Sequence, residues 1–112
     1  MPINVKLTTI GRKSGEPRRV TLYAFPDGDR LVVVGSLGGA PQDPAWAGNL
    51  RVNPEATVRV DGEPRTVQAR EVEGDERDRL WQLVVKGFPL YETYQRKTNR
   101  TIPLFVLTTI PG

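Results

Sequence analysis

The 112-residue chain contains no cysteine and no histidine. The first absence removes disulfides, thiolate metal sites and cysteine nucleophiles. The second removes His-based triads and His-containing zinc sites, so any chemistry has to come from carboxylates, hydroxyls, cations, backbone groups or a bound cofactor. No metal site is expected. Long apolar runs are also missing: "LVVVG", from Leu31, is far too short to cross a bilayer. The start "MPINVKLTT" has no charged leader followed by an apolar region, so no signal peptide is expected. These absences point to a cytoplasmic protein with no integral membrane segment.

What is present is ordinary for a soluble globular chain, with 38% hydrophobic and 26% charged residues. The length fits one domain, residues 1–112, around one core. A net charge of +3 favours anionic partners without choosing among small molecules, nucleic acid and membrane. Where the charge lies is therefore more informative than its sum.

Periodicity reads as mostly β. Val5 to Ile10 and Arg19 to Phe25 are rich in β-branched and aromatic residues, and "PDGD", Pro26 to Asp29, forms a hairpin turn into Arg30 to Ser36. Gly38 and Gly39 then break the strand. Asp43 is placed to cap a short helix from about Pro44 to Val52, which Pro54 ends. Glu55 to Val60 and Arg65 to Val72 form a second hairpin around "DGEP", with pairing expected only after Pro64. Leu80, Trp81, Val84 and Val85 lie at helical spacing behind an acidic first turn, a second short helical segment runs from Pro89 to Lys97, and Ile102 to Ile110 closes the chain as a strand. About six antiparallel strands with short flanking helices predict a mainly β (α+β) small barrel.

The connection between the first two strands, "GRKSGEPRR", crowds Arg12, Lys13, Arg18 and Arg19 around Gly11 and Gly15. The glycines permit left-handed backbone that exposes successive N–H groups, and Ser14 adds a donor, so the turn can hold a phosphate. The same residues also fit a solvated hairpin loop whose cations keep an edge soluble. No Walker or dinucleotide fingerprint is present. A second feature is "GSLGGAPQDPAWAGNL": glycines at a strand end let a flat ligand approach the main chain, and the following helix turns free N–H groups toward the same region. Within it, Trp46 and Leu50 are at the spacing of core residues.

Four segments, "LTTIGRKSGEPRRVTLY", "VVVGSLGGAPQDPAWAGNLRVNP", "VEGDERDRLWQLV" and "FPLYETYQRKTNRTIPLFVL", together resemble the deazaflavin-dependent nitroreductase and quinone reductase family, in order and spacing over almost the whole chain. The resemblance implies a split β-barrel related to FMN-binding oxidoreductases. It also implies coenzyme F420 as cofactor, with FMN the less favoured alternative, and hydride transfer to a quinone, nitroaromatic or activated enone. That cofactor carries a phosphodiester and an oligoglutamate tail. By the resemblance, Arg12, Lys13, Ser14, Arg18 and Arg19 bind the phosphate and tail; Ser36, Leu37, Gly38 and Gly39 pass alongside the ring; Ala45, Trp46 and Asn49 follow on the helix; and Tyr91 and Tyr94 line the substrate side as catalytic candidates. "YETY" also puts the two tyrosines on one helical face that can simply bury itself.

Family members usually show "HPAWYHNL" where this chain has "DPAWAGNL", so Asp43, Ala47 and Gly48 are departures, and a wider or differently polar pocket mouth is expected. The chain begins almost at the first strand, where many relatives carry an N-terminal helix, which implies an open substrate side. The expected partner is a small-molecule hydride acceptor, and a homodimer is left open. Two other readings stand beside the reductase: a non-catalytic carrier of the same fold for the deazaflavin, a fatty acid or another anionic hydrophobe, and a nucleic-acid-binding barrel. The last lacks the interleaved aromatics that stack single-stranded bases, so no nucleic acid is expected.

Overall fold

A computed structural model describes residues 2–111. Six strands close an antiparallel barrel: β1 (Ile3–Ile10), β2 (Pro17–Asp27), β3 (Arg30–Val34), β4 (Glu55–Val60), β5 (Glu63–Glu71) and β6 (Leu104–Thr109). Their order around the barrel is β1-β2-β3-β6-β5-β4. A 3₁₀ turn (Leu37–Gly39) and helix α1 (Ala45–Val52) lie between β3 and β4; α2 (Gly74–Gly87) and α3 (Leu90–Arg96) lie between β5 and β6. Among the described residues no helix is long and apolar enough to cross a membrane. The expected barrel of about six antiparallel strands with short helices is the one found.

Alternation along the strands builds two cores. Val5, Leu7, Val58, Val67 and Phe105 point into the barrel, where Trp46, Ala47 and Leu50 of α1 plug it. Phe25, Val32, Leu104 and Val106 point outward and are covered by Leu80 and Val84 of α2 and Tyr91 of α3. Strands β3 and β6 are therefore apolar on both faces, which is why "LVVV" and "LFVL" read as continuous hydrophobic runs.

Several local expectations are corrected. The first hairpin turns on two residues, since Asp27 pairs with Arg30 and Gly28 takes φ 64°. Pairing in the second hairpin begins before Pro64: Val60 pairs with Glu63 across Asp61 and Gly62, both at positive φ, and Pro64 pairs with Arg59. The proline is tolerated because β5 meets β6 only from Val67 onward, so its missing N–H breaks no ladder on that side. Asp43 does not cap α1; Pro44 is the N-cap residue and no side chain bonds there. β3 stops at Val34 because the next pair in register is Gly35 with Pro103: the Gly35 N–H still donates to the Pro103 carbonyl (2.9 Å), but the proline has no N–H to return.

One register feature positions the site. β2 pairs with β1 from Pro17 to Ala24, but with β3 only from Ala24 to Asp27. The first half of β2 thus diverges from β3, and the inward-facing Val20 and Leu22 are only partly covered.

Candidate functional site

In the gap left by β2 lies a cavity of about 490 Å³. The β1–β2 turn and the start of β2 supply Arg12, Lys13, Ser14, Arg18 and Arg19; Leu37 of the 3₁₀ turn and Ala45, Trp46 and Asn49 of α1 supply the opposite wall. Residues far apart in sequence are thus brought together as the resemblance implied, apart from Ser36, Gly38 and Gly39, which do not line it. Gly39 faces α3 instead: a Cβ there would lie 2.9 Å from the Tyr94 carbonyl oxygen. The close approach that its glycine allows is taken up by the protein's own helix. Gly38, at φ 64°, has open space around it.

The cavity has two chemically different kinds of lining. Val20, Leu37 and Trp46 are apolar. Trp46 is both wall and core, 8% exposed with its ring edge-on to Phe105 at 5.8 Å between centroids. Leu37 is half exposed, at 50%, and sits at φ 45°, an uncommon backbone conformation for a branched residue. Arg12, Lys13, Arg18 and Arg19 also line the cavity; they are exposed and form no ion pair with any carboxylate among the described residues, which is equally true of Lys6, Arg59, Arg65, Arg77, Lys86 and Lys97, and what sets the four apart is that they share one cavity. Four uncompensated cations facing one cavity repel one another until an anion enters.

The turn itself is only partly as expected. Gly15 is left-handed at φ 71°, but Gly11 is not; Gly11 is needed for close approach, since a Cβ there would lie 2.5 Å from Ser14 Oγ. Ser14 Oγ accepts from the Glu16 N–H (3.1 Å) and from Arg18 Nη2 (3.4 Å), so the hydroxyl braces the loop. Asn49 is buried under the turn, at 3% exposure. Its Nδ2 donates to the buried Thr9 Oγ1 (3.1 Å), which fixes Oδ1 toward Arg12; there it accepts from the Arg12 backbone N–H (3.1 Å) and from Arg12 Nη1 (3.0 Å). The same Nη1 donates to the Ala45 carbonyl (3.1 Å).

Residues that sequence reasoning missed hold this arrangement in place. Arg100, after α3, donates through Nε to the Ala40 carbonyl (2.9 Å), through Nη1 to the Gly35 carbonyl (3.1 Å) and Asp43 Oδ1 (2.7 Å), and through Nη2 to the Ser36 carbonyl (2.7 Å). One guanidinium therefore clamps the segment that carries Leu37. Asp43 also accepts from Arg51 (2.8 Å), which pairs with Glu71 (2.8 Å). Glu71 and then Asp43 hold the Arg51 guanidinium more firmly protonated. The Asp43 departure thus has a structural account, a carboxylate bridging two arginines. Nothing local in "KTNRT" marks Arg100 as different from a solvated surface charge.

The two tyrosines are not brought to the cavity. Tyr91 is 5% exposed, packed edge-on against Phe25 (5.8 Å) and Phe88 (4.8 Å). Burial, with lesser contributions from Tyr23 and Tyr94, pushes its phenol up to about 12, away from the range of a useful acid. Tyr94 is half-buried, beside Phe88 and under Lys97, and its backbone supports Gly39. Among the described residues no cluster of metal-ligating side chains occurs.

A family model described as F420H(2)-dependent quinone reductase matches residues 1–109. An F420H(2)-dependent quinone reductase of Mycobacterium tuberculosis is 38% identical over 110 residues, covering 96% of this chain and 74% of that protein. Among solved structures, an F420-H2-dependent reductase, FDR-A, superposes with a TM-score of 0.85 at 39% identity, over 93% of this chain and 92% of that one. Another, described as a domain-swapped dimer, gives the same TM-score and identity over 93% and 78%. A Listeria innocua structure described as a putative pyridoxamine 5'-phosphate oxidase shares the barrel fold at 13% identity, with a TM-score of 0.67 over 96% of this chain and 84% of that one.

Proposed function

Because the chain belongs to the F420H(2)-dependent quinone reductase family, we propose that residues 1–112 act as one deazaflavin-binding domain that passes a hydride from reduced F420 to a quinone, with nitroaromatics and activated enones as further acceptors. The observation that carries this reading is one cavity lined both by apolar Val20, Leu37 and Trp46 and by four cations without ion-pair partners, Arg12, Lys13, Arg18 and Arg19. That pairing suits a molecule with a flat ring at one end and several negative charges at the other.

When bound, the cofactor supplies the hydride. The chain's own part is to hold and orient it. Arg12, Lys13, Arg18 and Arg19 would hold the phosphodiester and tail, with Ser14 bracing the loop. Leu37, Trp46 and Val20 would exclude water from the ring, and Ser36, Gly38 and Gly39, which do not line the cavity, would shape the clamped segment that carries Leu37 to it. Ala45 and Asn49 fix the turn against α1.

Tyr94 is assigned to the acceptor side, next to the 3₁₀ turn, and Tyr91 to the packing beneath it. Tyr94→Phe is therefore expected to lower quinone turnover with cofactor affinity unchanged. Tyr91→Phe leaves turnover as it is, while Tyr91→Ala costs about 3 to 5 kcal/mol of stability in urea unfolding. Equal, unchanged rates in both phenylalanine variants would remove Tyr94 from the mechanism. The partner is a small-molecule hydride acceptor, and the reading leaves room for a homodimer, a dimer being the state of one solved neighbour.

Cofactor choice tests the reading. FMN brings one phosphate to a site with four cations, so F420 binds at least tenfold more tightly than FMN in a fluorescence titration at low salt. Equal or reversed affinities overturn it.

A further inference from the structure

We infer that Gln95, on α3, is a positioning residue that acts through Arg100: its side-chain amide seats the loop from which Arg100 holds the Leu37 wall of the cavity. The inference rests on that cavity being the cofactor site. From Lys97 to Pro103 the chain forms neither helix nor strand, so its backbone polar groups need partners outside any ladder. The Gln95 amide meets two of them. Nε2 donates to the Arg100 carbonyl (2.7 Å) and Oε1 accepts from the Ile102 N–H (2.9 Å). A carbonyl and an N–H are not interchangeable partners, so the pair also fixes which way round the amide lies. Neither group has a backbone partner among the described residues. One side chain therefore brackets residue 101 and pins the backbone on both sides of it. The far end of the bracket is anchored, because Ile102 is fully buried and its carbonyl accepts from Arg77 Nη2 (2.7 Å).

What the bracket aims is the Arg100 guanidinium. It reaches the carbonyls of Gly35, Ser36 and Ala40 and the Asp43 carboxylate, and one planar fork meets four acceptors at once only from a narrow range of backbone positions. Leu37, which lines the cavity at φ 45°, lies inside the span so held. Within that span the Gly39 N–H donates to the Ser36 carbonyl (2.9 Å) and the Ala40 N–H to the Leu37 carbonyl (3.1 Å), closing the turn. α3 thus supports the wall in two ways. The Tyr94 carbonyl backs Gly39 directly, while Gln95 bonds to no residue of the turn and acts on it through Arg100.

The test uses Gln95→Met, which keeps the length of the side chain and removes both bonds. Val84→Ala serves as a control, since it loosens the buried packing of α2 without touching either bond. In the cofactor-free protein, amide hydrogen exchange at Gly39 and Ala40 is expected to quicken roughly tenfold in Gln95→Met and in Arg100→Ala, against little change in the strands. In Val84→Ala the two amides change no more than the strands do. F420 affinity falls about three- to tenfold in Gln95→Met, and Gln95→Met adds nothing further in an Arg100→Ala background. Gln95→Glu keeps the acceptor for Ile102 and loses the donor for Arg100, and it gives a smaller change of the same kind in both measurements. Because the wall meets the ring, the Gln95→Met loss persists with the deazaflavin that lacks phosphate and glutamates, where the Lys13→Ala loss disappears. Unchanged exchange at Gly39 and Ala40 in both Gln95 variants, or an undiminished loss of affinity when Arg100 is already absent, overturns the inference. Failure of the unaltered protein to bind F420 at all overturns the cofactor assignment instead, and the exchange rates still decide whether Gln95 holds the turn.

Discussion

Replacing Arg100 by alanine is expected to lower the unfolding free energy by on the order of 3 kcal/mol, the largest stability effect of any single polar side chain in the molecule. The side chain is 14% exposed and serves four acceptors, the carbonyls of Gly35, Ser36 and Ala40 and the Asp43 carboxylate. Its removal leaves three backbone carbonyls without that donor in a partly dry pocket, while Asp43 keeps only Arg51. Leu37, held at φ 45° inside the clamped segment, is then free to relax to an ordinary conformation, so the apolar lining it gives the cavity loses its shape. Arg100→Lys keeps the charge but loses the fork, so it recovers only part of the stability and little of the cofactor affinity. Urea unfolding and an F420 titration of both variants read these effects. A loss below about 1 kcal/mol in Arg100→Ala would show that the clamp is incidental.

Lys13→Ala and Arg18→Ala act on the cationic lining, and they act chiefly on binding, the exposed 3.4 Å bond from Arg18 Nη2 to Ser14 being a weak one. Each removes a hydrogen bond to a charged group of the ligand, worth about 1.5 to 3 kcal/mol, so F420 affinity falls about ten- to a hundredfold at low salt. Both side chains are exposed and pair with no carboxylate, so neither substitution lowers the melting temperature; relief of repulsion raises it slightly. The difference between variant and parent narrows at about 1 M salt, where the screening length drops to about 3 Å. Unchanged low-salt affinity in both variants would return these cations to the role of a solvated hairpin loop.

The barrel was legible because its strands follow period two and its turns carry their own chemistry. β-branched residues mark β1 and β2, apolar runs mark the doubly covered β3 and β6, and "DG" marks both hairpins. Pro64 misled because a proline stops pairing only where its N–H is needed, and which side of a strand is unpaired is a tertiary fact. Asp43 beside Pro44 has the spacing of a cap, but Arg51 and Arg100 compete for the carboxylate more strongly than backbone N–H groups do. The cationic turn and the helix wall were legible as separate motifs. Their union across the gap between β2 and β3 depends on where one ladder ends, and Arg100 acts over sequence separations of about sixty residues with no local mark. The tyrosines show the limit of helical spacing: Tyr91 and Tyr94 share a face of α3, and that face is turned largely into the aromatic cluster with Phe25 and Phe88.

The central claim is that this cavity binds reduced F420 and that the chain speeds its oxidation by a quinone. The most direct measurement mixes the protein anaerobically with reduced F420 and menadione and follows the return of the oxidised cofactor's absorbance, with reduced FMN in a parallel arm. The account predicts protein-dependent reoxidation that saturates with F420, is lost at low cofactor concentration in a Lys13→Ala, Arg18→Ala double variant, and is not supported by FMN. Reoxidation no faster than without protein, or equal rates with FMN and in the double variant, would contradict it.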